Sequence, residues 1–306
     1  MRPPREYARP PVWTDDDLEA RRREAIADFI EVRNAEGSVR YRAAFAAALD
    51  MANRLFAATQ DLTTFSTGDA LAEDPQLVRV ARYLGAPPIS GDDLNTLAGA
   101  NIAARRHLDA DLSSKAAHVI GTAIDPERFP WIVDEPARGP SDTERDLALR
   151  WTAGLMAASE AQMSRRQQAS GRQEGAVRTF LASLGFTEVP ARPVHLTGGL
   201  EPGTFSKEGS VMGINCDVPV GLWDGRFMLI ECKSSNSAVN SVKRLNRETG
   251  GKAQEWNRRL GERAIPAAVL AGVFQLGSLK AAQEVGTAIF WERDLTPLAD
   301  FVHAAR

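Results

Sequence analysis

Apolar residues change their spacing along this chain after about residue 168, and this change limits the possible folds more than any other property. Before that point they recur every three or four residues, as an α-helix needs in order to bury one face. After it, apolar and polar residues alternate and turn residues become dense, which is typical of β-strands joined by short turns. A chain of 306 residues can also bury two cores. We therefore predict a helical domain over 1–168 and a domain with a β-sheet over 169–306.

The first half is predicted to be a succession of helices. Thr14 and the three aspartates after it offer an N-cap and charges that suit the N-terminus of a helix over 18–34. The stretch 39–58 then carries Phe45, Leu49 and Phe56 on one face, at the spacing of a helix packed on its neighbours. Further helices are expected over 75–84, 92–107, 112–124 and 142–168.

The second half is predicted to form a mixed sheet flanked by helices. Segment 214–220 is expected to be a strand, Asp224-Gly225 is a hairpin turn signal, and 226–233 is the partner strand. A helix over 172–184 should precede them and end at Gly185. Also expected are strands over 267–274 and 287–291, and helices over 239–260, interrupted at Gly250-Gly251, and over 278–284 and 295–304. This order of elements predicts the α+β or α/β class.

Composition narrows the setting in which the protein works. No apolar run approaches the ~20 residues that span a bilayer, and the start of the chain has no apolar region of a secretory signal. The chain contains 2 cysteines, and its 4 histidines stand nowhere at the spacing of metal ligands, so neither a disulfide framework nor a zinc site is expected. These features favour a cytoplasmic protein without a membrane role.

The overall charge of -3 conceals a gradient along the chain. Residues 1–168 hold 21 Lys and Arg against 26 Asp and Glu, whereas residues 169–306 hold 16 against 14. Within the second half, residues 226–263 carry nine basic side chains against four acidic ones. Since attraction to phosphates acts over roughly a Debye length of ~8 Å, this local excess points to a nucleic-acid partner that the mean charge hides.

Two carboxylates and a lysine are predicted to meet on the hairpin. Asp217 lies on the first strand and Glu231 near the end of the second, so pairing can bring their side chains together. Because side chains alternate across a strand, Glu231 and Lys233 project to one face and Cys232 to the other. A carboxylate beside Ile230 needs a cation. The two carboxylates and the strand carbonyl at Cys232 are hard oxygen ligands, which suit Mg²⁺.

This arrangement predicts metal-assisted hydrolysis of a phosphodiester bond. Mg²⁺ held by Asp217 and Glu231 would polarise the phosphate, and Lys233 would position or deprotonate the attacking water. Glu174, on the preceding helix, could add a contact behind the ligands or with a second metal ion, or be a plain surface residue. Cys216 and Cys232 are interpreted as small core residues and not as nucleophiles.

At these residues the chain resembles the PD-(D/E)xK type II restriction endonucleases, and most closely the XamI-like family. The resemblance is carried by RQEGAVRTFLASLGF, by NCDVPVGLWDGRFMLIECKSSNSAVNSVKRLNRETGGKAQEW, and by the helical half ahead of them. It implies a restriction-endonuclease-like core and Mg²⁺-dependent double-strand cleavage of DNA at a short palindrome. It also implies a homodimer that works beside a cognate DNA methyltransferase. One departure is that Cys216 stands where the motif has proline, although that proline is often absent in such enzymes.

DNA recognition is expected from polar and basic residues around and beyond the catalytic lysine, either by reading bases in the major groove or by holding phosphates. The candidates are Lys207, Ser234, Ser235, Asn236, Asn240, Lys243, Arg244, Arg247, Lys252 and Arg258. For the helical domain, the expected roles are DNA clamping, specificity or dimerisation.

Three other functions stay open at this point. A structure-selective nuclease of DNA repair or recombination would share the metal site but ignore base sequence. A non-catalytic DNA-binding protein could retain the nuclease fold, although the intact Asp217, Glu231 and Lys233 argue against it. Finally, the basic helix could bind RNA or an acidic protein.

Overall fold

The computed structural model describes residues 7–133, 138–195 and 200–306, and for residues 36, 165–170, 240, 243 and 244 it describes the backbone alone. The chain divides into two compact units. The sheet unit comprises Met1–Asn34 and Arg166–Arg306, and the helical unit comprises Ala35–Arg165. The predicted division into a helical domain over 1–168 and a sheet domain over 169–306 describes domains that fold independently. That division stays a prediction.

Helices form most of the first half, as predicted. In chain order they are α1 (Asp15–Ala58), α2 (Asp69–Glu73), α3 (Val78–Ala81), α4 (Gly91–Leu97), α5 (Ala110–Gly121), α6 (Pro130–Val133) and α7 (Asp142–Ser183). Single 3₁₀ turns occupy Phe65–Thr67, Pro75–Leu77 and Arg82–Leu84.

Three of the predicted helix boundaries are wrong. The breaks expected after residue 34 and after residue 168 do not occur, since α1 and α7 run through them. A single glycine, Gly37 or Gly171, costs a helix only about 1 kcal/mol, which continued hydrogen bonding offsets. Conversely, the helix expected over 92–107 ends at Leu97, because Asn95 Oδ1 accepts hydrogen bonds from the backbone of the following loop.

The helical unit is built around one apolar core. Phe56, Phe129 and Trp131 have no exposed surface and stack against one another with tilted or edge-on rings. Helices α1, α5 and α7 all contribute side chains to this core. Full burial of each large apolar side chain contributes roughly 1.5–3 kcal/mol, so this cluster accounts for much of the unit's stability.

The described part of the second half contains eight strands and the remaining helices. The strands are β1 (Thr187–Glu188), β2 (Thr204–Phe205), β3 (Gly209–Val211), β4 (Ile214–Cys216), β5 (Val218–Gly221), β6 (Phe227–Ser235), β7 (Ala264–Gly272) and β8 (Ala288–Trp291). The helices are α8 (Ala238–Val242), a π-helix (Lys243–Thr249), α9 (Gly250–Leu260), a 3₁₀ turn (Gly261–Arg263), α10 (Leu276–Glu284) and α11 (Thr296–Ala304).

Six strands form one mixed sheet in the order β1-β2-β5-β6-β7-β8. β5 and β6 are the predicted antiparallel hairpin, and β6, β7 and β8 run parallel, joined by crossover helices. β3 and β4 pair separately. The predicted α+β class, with a mixed sheet flanked by helices, is therefore confirmed.

Helices cover both faces of this sheet within the sheet unit. On one face, Ile230 and Cys232 of β6 pack with Val177 and Leu181 of α7 and with α11. On the other face, Leu229 packs with α9, and residues of β7 and β8 pack with α10. Because both faces are covered, β6 is buried from Phe227 to Cys232. Any charged side chain on β6 must find its partners inside the protein.

The first part of α1 and the residues before it pack within the sheet unit. Trp13 donates from its indole nitrogen to Ile289 O over 2.7 Å, and its backbone exchanges hydrogen bonds with the Gln283 side chain. Leu18 is fully buried beside α10 and β8. Lys280 pairs with Asp15 over 2.5 Å. The sheet unit thus requires chain from both ends of the sequence.

No helix among the residues that the structure describes combines the length and the apolar character needed to cross a bilayer.

Candidate active site

Asp217 lies at a bend between two strands, and this position corrects the sequence prediction. The expected single strand over 214–220 is divided there into β4 and β5, which belong to different sheets. The β3–β4 hairpin turns at Met212 and Gly213, both with positive φ (53° and 81°), as a tight two-residue turn requires. Asp217 therefore lies where the chain passes from one sheet to the other.

Glu231 and Lys233 lie on β6, two residues apart, and they share one face as predicted. The hairpin register pairs Val218 with Ile230, so Asp217 comes opposite Glu231. Lys233 Nζ lies 3.0 Å from Asp217 Oδ2 and 2.9 Å from Glu231 Oε2. The structure thus brings together the three residues to which the sequence assigned the chemistry.

Asp217 is also held by the backbone of β6. The amide of Cys232 donates to Asp217 Oδ2 over 2.7 Å. In a strand, the N–H and C=O of one residue point toward the same neighbour, so the carbonyl of Cys232 also faces this edge of β6. That carbonyl is the third oxygen of the predicted metal site.

Glu231 has no exposed surface, and a buried carboxylate needs cations. Besides Lys233, it contacts Lys252 of α9, whose Nζ lies 2.8 Å from both carboxylate oxygens. The side chain of Lys252 is 26% exposed. From sequence, Lys252 was predicted to contact DNA, and its contact with Glu231 was missed.

A π-helix (Lys243–Thr249) directly precedes α9, the helix that carries Lys252. The signature of the π-helix is the bond from Gly250 N–H to Leu245 O, five residues back. Leu245 and Thr249 of this segment and Ala253 of α9 are buried at intervals of four residues, so the two helical segments turn the same side toward the protein interior. Lys252 follows this segment beside Ala253. The interruption predicted at Gly250-Gly251 is wrong, since the irregular segment precedes these glycines.

Electrostatics keep the lysine charged. Burial acts to lower the pKa of Lys233, but the charges of Glu231 and Asp217 and the hydrogen bonds to them outweigh it, so the pKa is raised above its usual value. Lys233 is therefore an ammonium group in the metal-free enzyme, able to donate hydrogen bonds and to offset negative charge.

The two cysteines are protonated core residues. Burial first, and then the charges of Glu231 and Asp217, raise the pKa of the Cys216 thiol well above its usual value. Burial, followed by the charges of Asp217 and Glu174, does the same for Cys232. A nucleophilic cysteine needs a lowered pKa and access to solvent, and these thiols have neither.

The donor set suits a hard divalent cation. Among the described residues, no three side chains of His, Cys, Asp and Glu cluster closely enough to hold an ion by themselves. Mg²⁺ commonly takes one or two carboxylates and keeps several waters, so two carboxylates and a carbonyl are sufficient. The ammonium groups between these oxygens mark a place that favours positive charge.

The other predicted residues lie around this centre in different surroundings. Glu174 is half-buried on α7, the helix that packs on the Cys232 face of the sheet, and its charge acts on the Cys232 thiol. Ser235 is buried, and its hydroxyl donates to Ser237 O. Ser234 is half-buried, and Lys207, Asn236, Arg247 and Arg258 are exposed. The side chains of Asn240, Lys243 and Arg244 lie outside the described residues.

The arginines of α9 are tied to their own surroundings. Arg258 and Arg259 both pair with Glu255, over 2.8 Å and 2.5 Å. Arg259 also donates to the backbone oxygen of Met212, which fastens the β3–β4 hairpin ahead of Asp217. Both arginines are exposed, and Arg259 is the one of the two that bonds to the β3–β4 hairpin.

Sequence comparisons cover this region. A profile of the family described as XamI restriction endonuclease matches residues 61–291, which include Asp217, Glu231, Lys233 and Lys252. A curated relative, Type II restriction enzyme XamI of Xanthomonas campestris pv. amaranthicola, is 40% identical over 200 residues, covering 64% of this chain and 72% of the relative. No solved structure matches the chain. The chain therefore belongs to the XamI restriction endonuclease family: it is a type II restriction endonuclease, a site-specific deoxyribonuclease.

Proposed function

We propose that this enzyme makes double-strand cuts in DNA by hydrolysing phosphodiester bonds at a Mg²⁺ site of the PD-(D/E)xK kind. The observation that carries the proposal is the position of Lys233 Nζ, within 3.0 Å of a carboxylate oxygen of both Asp217 and Glu231. Two acidic groups and a lysine around one point are the parts that metal-assisted phosphodiester hydrolysis needs.

Asp217, Glu231 and the carbonyl of Cys232 would hold the ion. When bound, Mg²⁺ would supply Lewis acidity that offsets negative charge on the scissile phosphate. The burial of Glu231 excludes water from one side of the site, which strengthens the electrostatic interactions there.

Lys233 would act as a charged hydrogen-bond donor. Its Nζ can donate a hydrogen bond to the attacking water and orient it. It can also donate to a phosphate oxygen and stabilise the negative charge there. The contacts of Lys233 Nζ with Asp217 and Glu231 support this role, since they hold the ammonium group beside the proposed metal ligands. Glu174 is proposed as a further contributor behind the metal ligands, since α7 packs on the face of β6 that carries Cys232, opposite Glu231 and Lys233.

The wider assignments follow from the type of enzyme. A short palindromic target would be matched by a homodimer, since a two-fold axis relates both the two strands and the two subunits. Contacts to such a target would come from the exposed side chains of Lys207, Asn236, Arg247 and Arg258. Asn240, Lys243 and Arg244, which lie between Asn236 and Arg247 in the sequence, are proposed to contribute as well. A cognate methyltransferase would protect host DNA, and enzyme and substrate would meet in the cytoplasm.

The test is a digest of plasmid DNA with Mg²⁺, followed by sequencing of the fragment ends. The proposal expects discrete fragments whose ends share one short palindrome, and no cleavage with EDTA. Cleavage confined to junctions or free ends would instead identify a structure-selective nuclease.

The Lys233→Ala variant distinguishes an enzyme from a DNA-binding protein without catalytic activity. Wild type should cleave and Lys233→Ala should not, while both bind duplex DNA in Ca²⁺. Binding without cleavage by wild type, under every divalent cation tried, would contradict the proposal.

A further inference from the structure

The strongest unassigned feature is the second lysine of the site. Lys252 Nζ lies 2.8 Å from Glu231 Oε1 and 2.8 Å from Oε2, so it engages the whole carboxylate. Lys233 is shared between Glu231 and Asp217. The four side chains carry two positive and two negative charges, and the cluster is neutral without a metal ion.

Neutrality matters because Glu231 is fully buried. A buried carboxylate is tolerated only when it is paired and hydrogen-bonded. One ammonium group shared between two carboxylates leaves half of the charge unmatched, so Lys252 supplies the remainder. The oxygens that it occupies are also those that a metal ion bound to Glu231 requires.

We propose that Lys252 is a counter-ion that competes with the metal: it neutralises Glu231 in the metal-free enzyme and gives way when a divalent cation binds. The inference rests on the proposed function, since it requires Glu231 to be a metal ligand. It assigns Lys252 an action on Glu231 in place of the DNA contact expected from sequence.

The side chain is built for such an exchange. A lysine is a point charge on a flexible four-carbon stem, and this one is 26% exposed, so its ammonium group can move into solvent while α9 stays in place. The backbone beneath it is fixed by Ala253 and Trp256, which are fully buried on the same helix. Exchange of ammonium for metal therefore needs no change of fold.

Two possible roles of Lys252, competition with the metal ion and purely structural support of Glu231, predict opposite effects of its removal on metal affinity. If Lys252 competes with the ion, its removal destabilises the metal-free protein but tightens metal binding, because a positive charge 2.8 Å from the ligand oxygens is gone. If Lys252 only braces Glu231, its removal loosens the ligand and weakens metal binding together with stability.

The experiment is calorimetric titration of the full-length protein with Ca²⁺ alone, so that no turnover is involved. Lys252→Met removes the charge with little change of volume, and Lys252→Gln removes the charge but keeps a hydrogen-bond donor. If the methionine variant does not fold, the glutamine variant carries the test. Lys280→Met is the matched control, since Lys280 pairs with Asp15 on the surface of the same unit.

The expected result is Ca²⁺ binding at least about threefold tighter in both Lys252 variants and unchanged in Lys280→Met. The thermal midpoint without metal should fall in Lys252→Met, and added Ca²⁺ should raise it by more than in wild type. Equal or weaker Ca²⁺ binding by the Lys252 variants would overturn the inference alone. The Glu231→Gln variant tests the metal site itself. If wild type does not bind Ca²⁺, or if Glu231→Gln binds it as well as wild type, the proposed metal site is wrong and the inference fails with it.

Discussion

The backbone amide of Cys232 donates a 2.7 Å hydrogen bond to Asp217 Oδ2, although Asp217 lies outside the ladder of the main sheet. This bond ties the bend between β4 and β5 to the strand that carries Glu231 and Lys233. The carboxylate of Asp217 is thus oriented before any metal or DNA arrives, and orientation in advance reduces the entropy lost on binding.

The two thiols should be chemically inert in the folded enzyme. Cys216 and Cys232 are buried, and their raised pKa keeps them protonated as pH rises through the range where free thiols ionise. Treatment with iodoacetamide at pH 8 should label neither residue in native protein and both in 6 M guanidinium, as intact mass would show. Rapid native labelling with loss of cleavage would contradict their assignment to the core.

The segment before α1 should stabilise the sheet unit, although it precedes the residues that the family profile matches. Trp13→Ala removes an indole that bonds Ile289 O and stacks 4.3 Å from the Arg21 guanidinium. We expect a loss of about 3 kcal/mol in the free energy of unfolding, measured with urea. Val12→Ala is the control, since Val12 is 79% exposed and should change stability by less than about 0.5 kcal/mol. A loss below about 0.5 kcal/mol for Trp13→Ala would show that the segment does not stabilise the unit.

Arg258 should contribute to DNA affinity without contributing to sequence choice. Its exposed guanidinium is held by Glu255, a surface arrangement that suits a phosphate contact. Arg258→Ala should weaken binding to all duplexes alike and reduce the slope of log affinity against log salt by about one. Arg23 pairs with Glu19 in a similar way and gives the control, Arg23→Ala, with an unchanged slope. A loss restricted to one sequence would instead make Arg258 a base-reading residue.

Much of the centre was predictable because it is local in sequence. The turn at Asp224-Gly225 sets the hairpin register, and alternation along β6 places Glu231 and Lys233 on one face. The bend at Asp217 was not predictable, since it depends on β4 pairing with β3 in a second sheet.

Contacts between distant segments account for the other misses. Lys252 reaches Glu231, 21 residues earlier in the chain, because α9 packs on the face of the sheet that carries Leu229, and residue spacing alone does not indicate that packing. The packing of Trp13 on β8 joins residues some 276 positions apart, a contact that neither propensity nor periodicity indicates.

The central claim is that Asp217 and Glu231 form one metal-dependent cleavage centre with Lys233. It is tested most directly by measuring plasmid cleavage in Mg²⁺ and duplex binding in Ca²⁺ for wild type, Asp217→Asn and Glu231→Gln. We expect each substitution to slow cleavage by at least about a hundredfold while duplex binding remains measurable. Full cleavage by either variant would contradict the account.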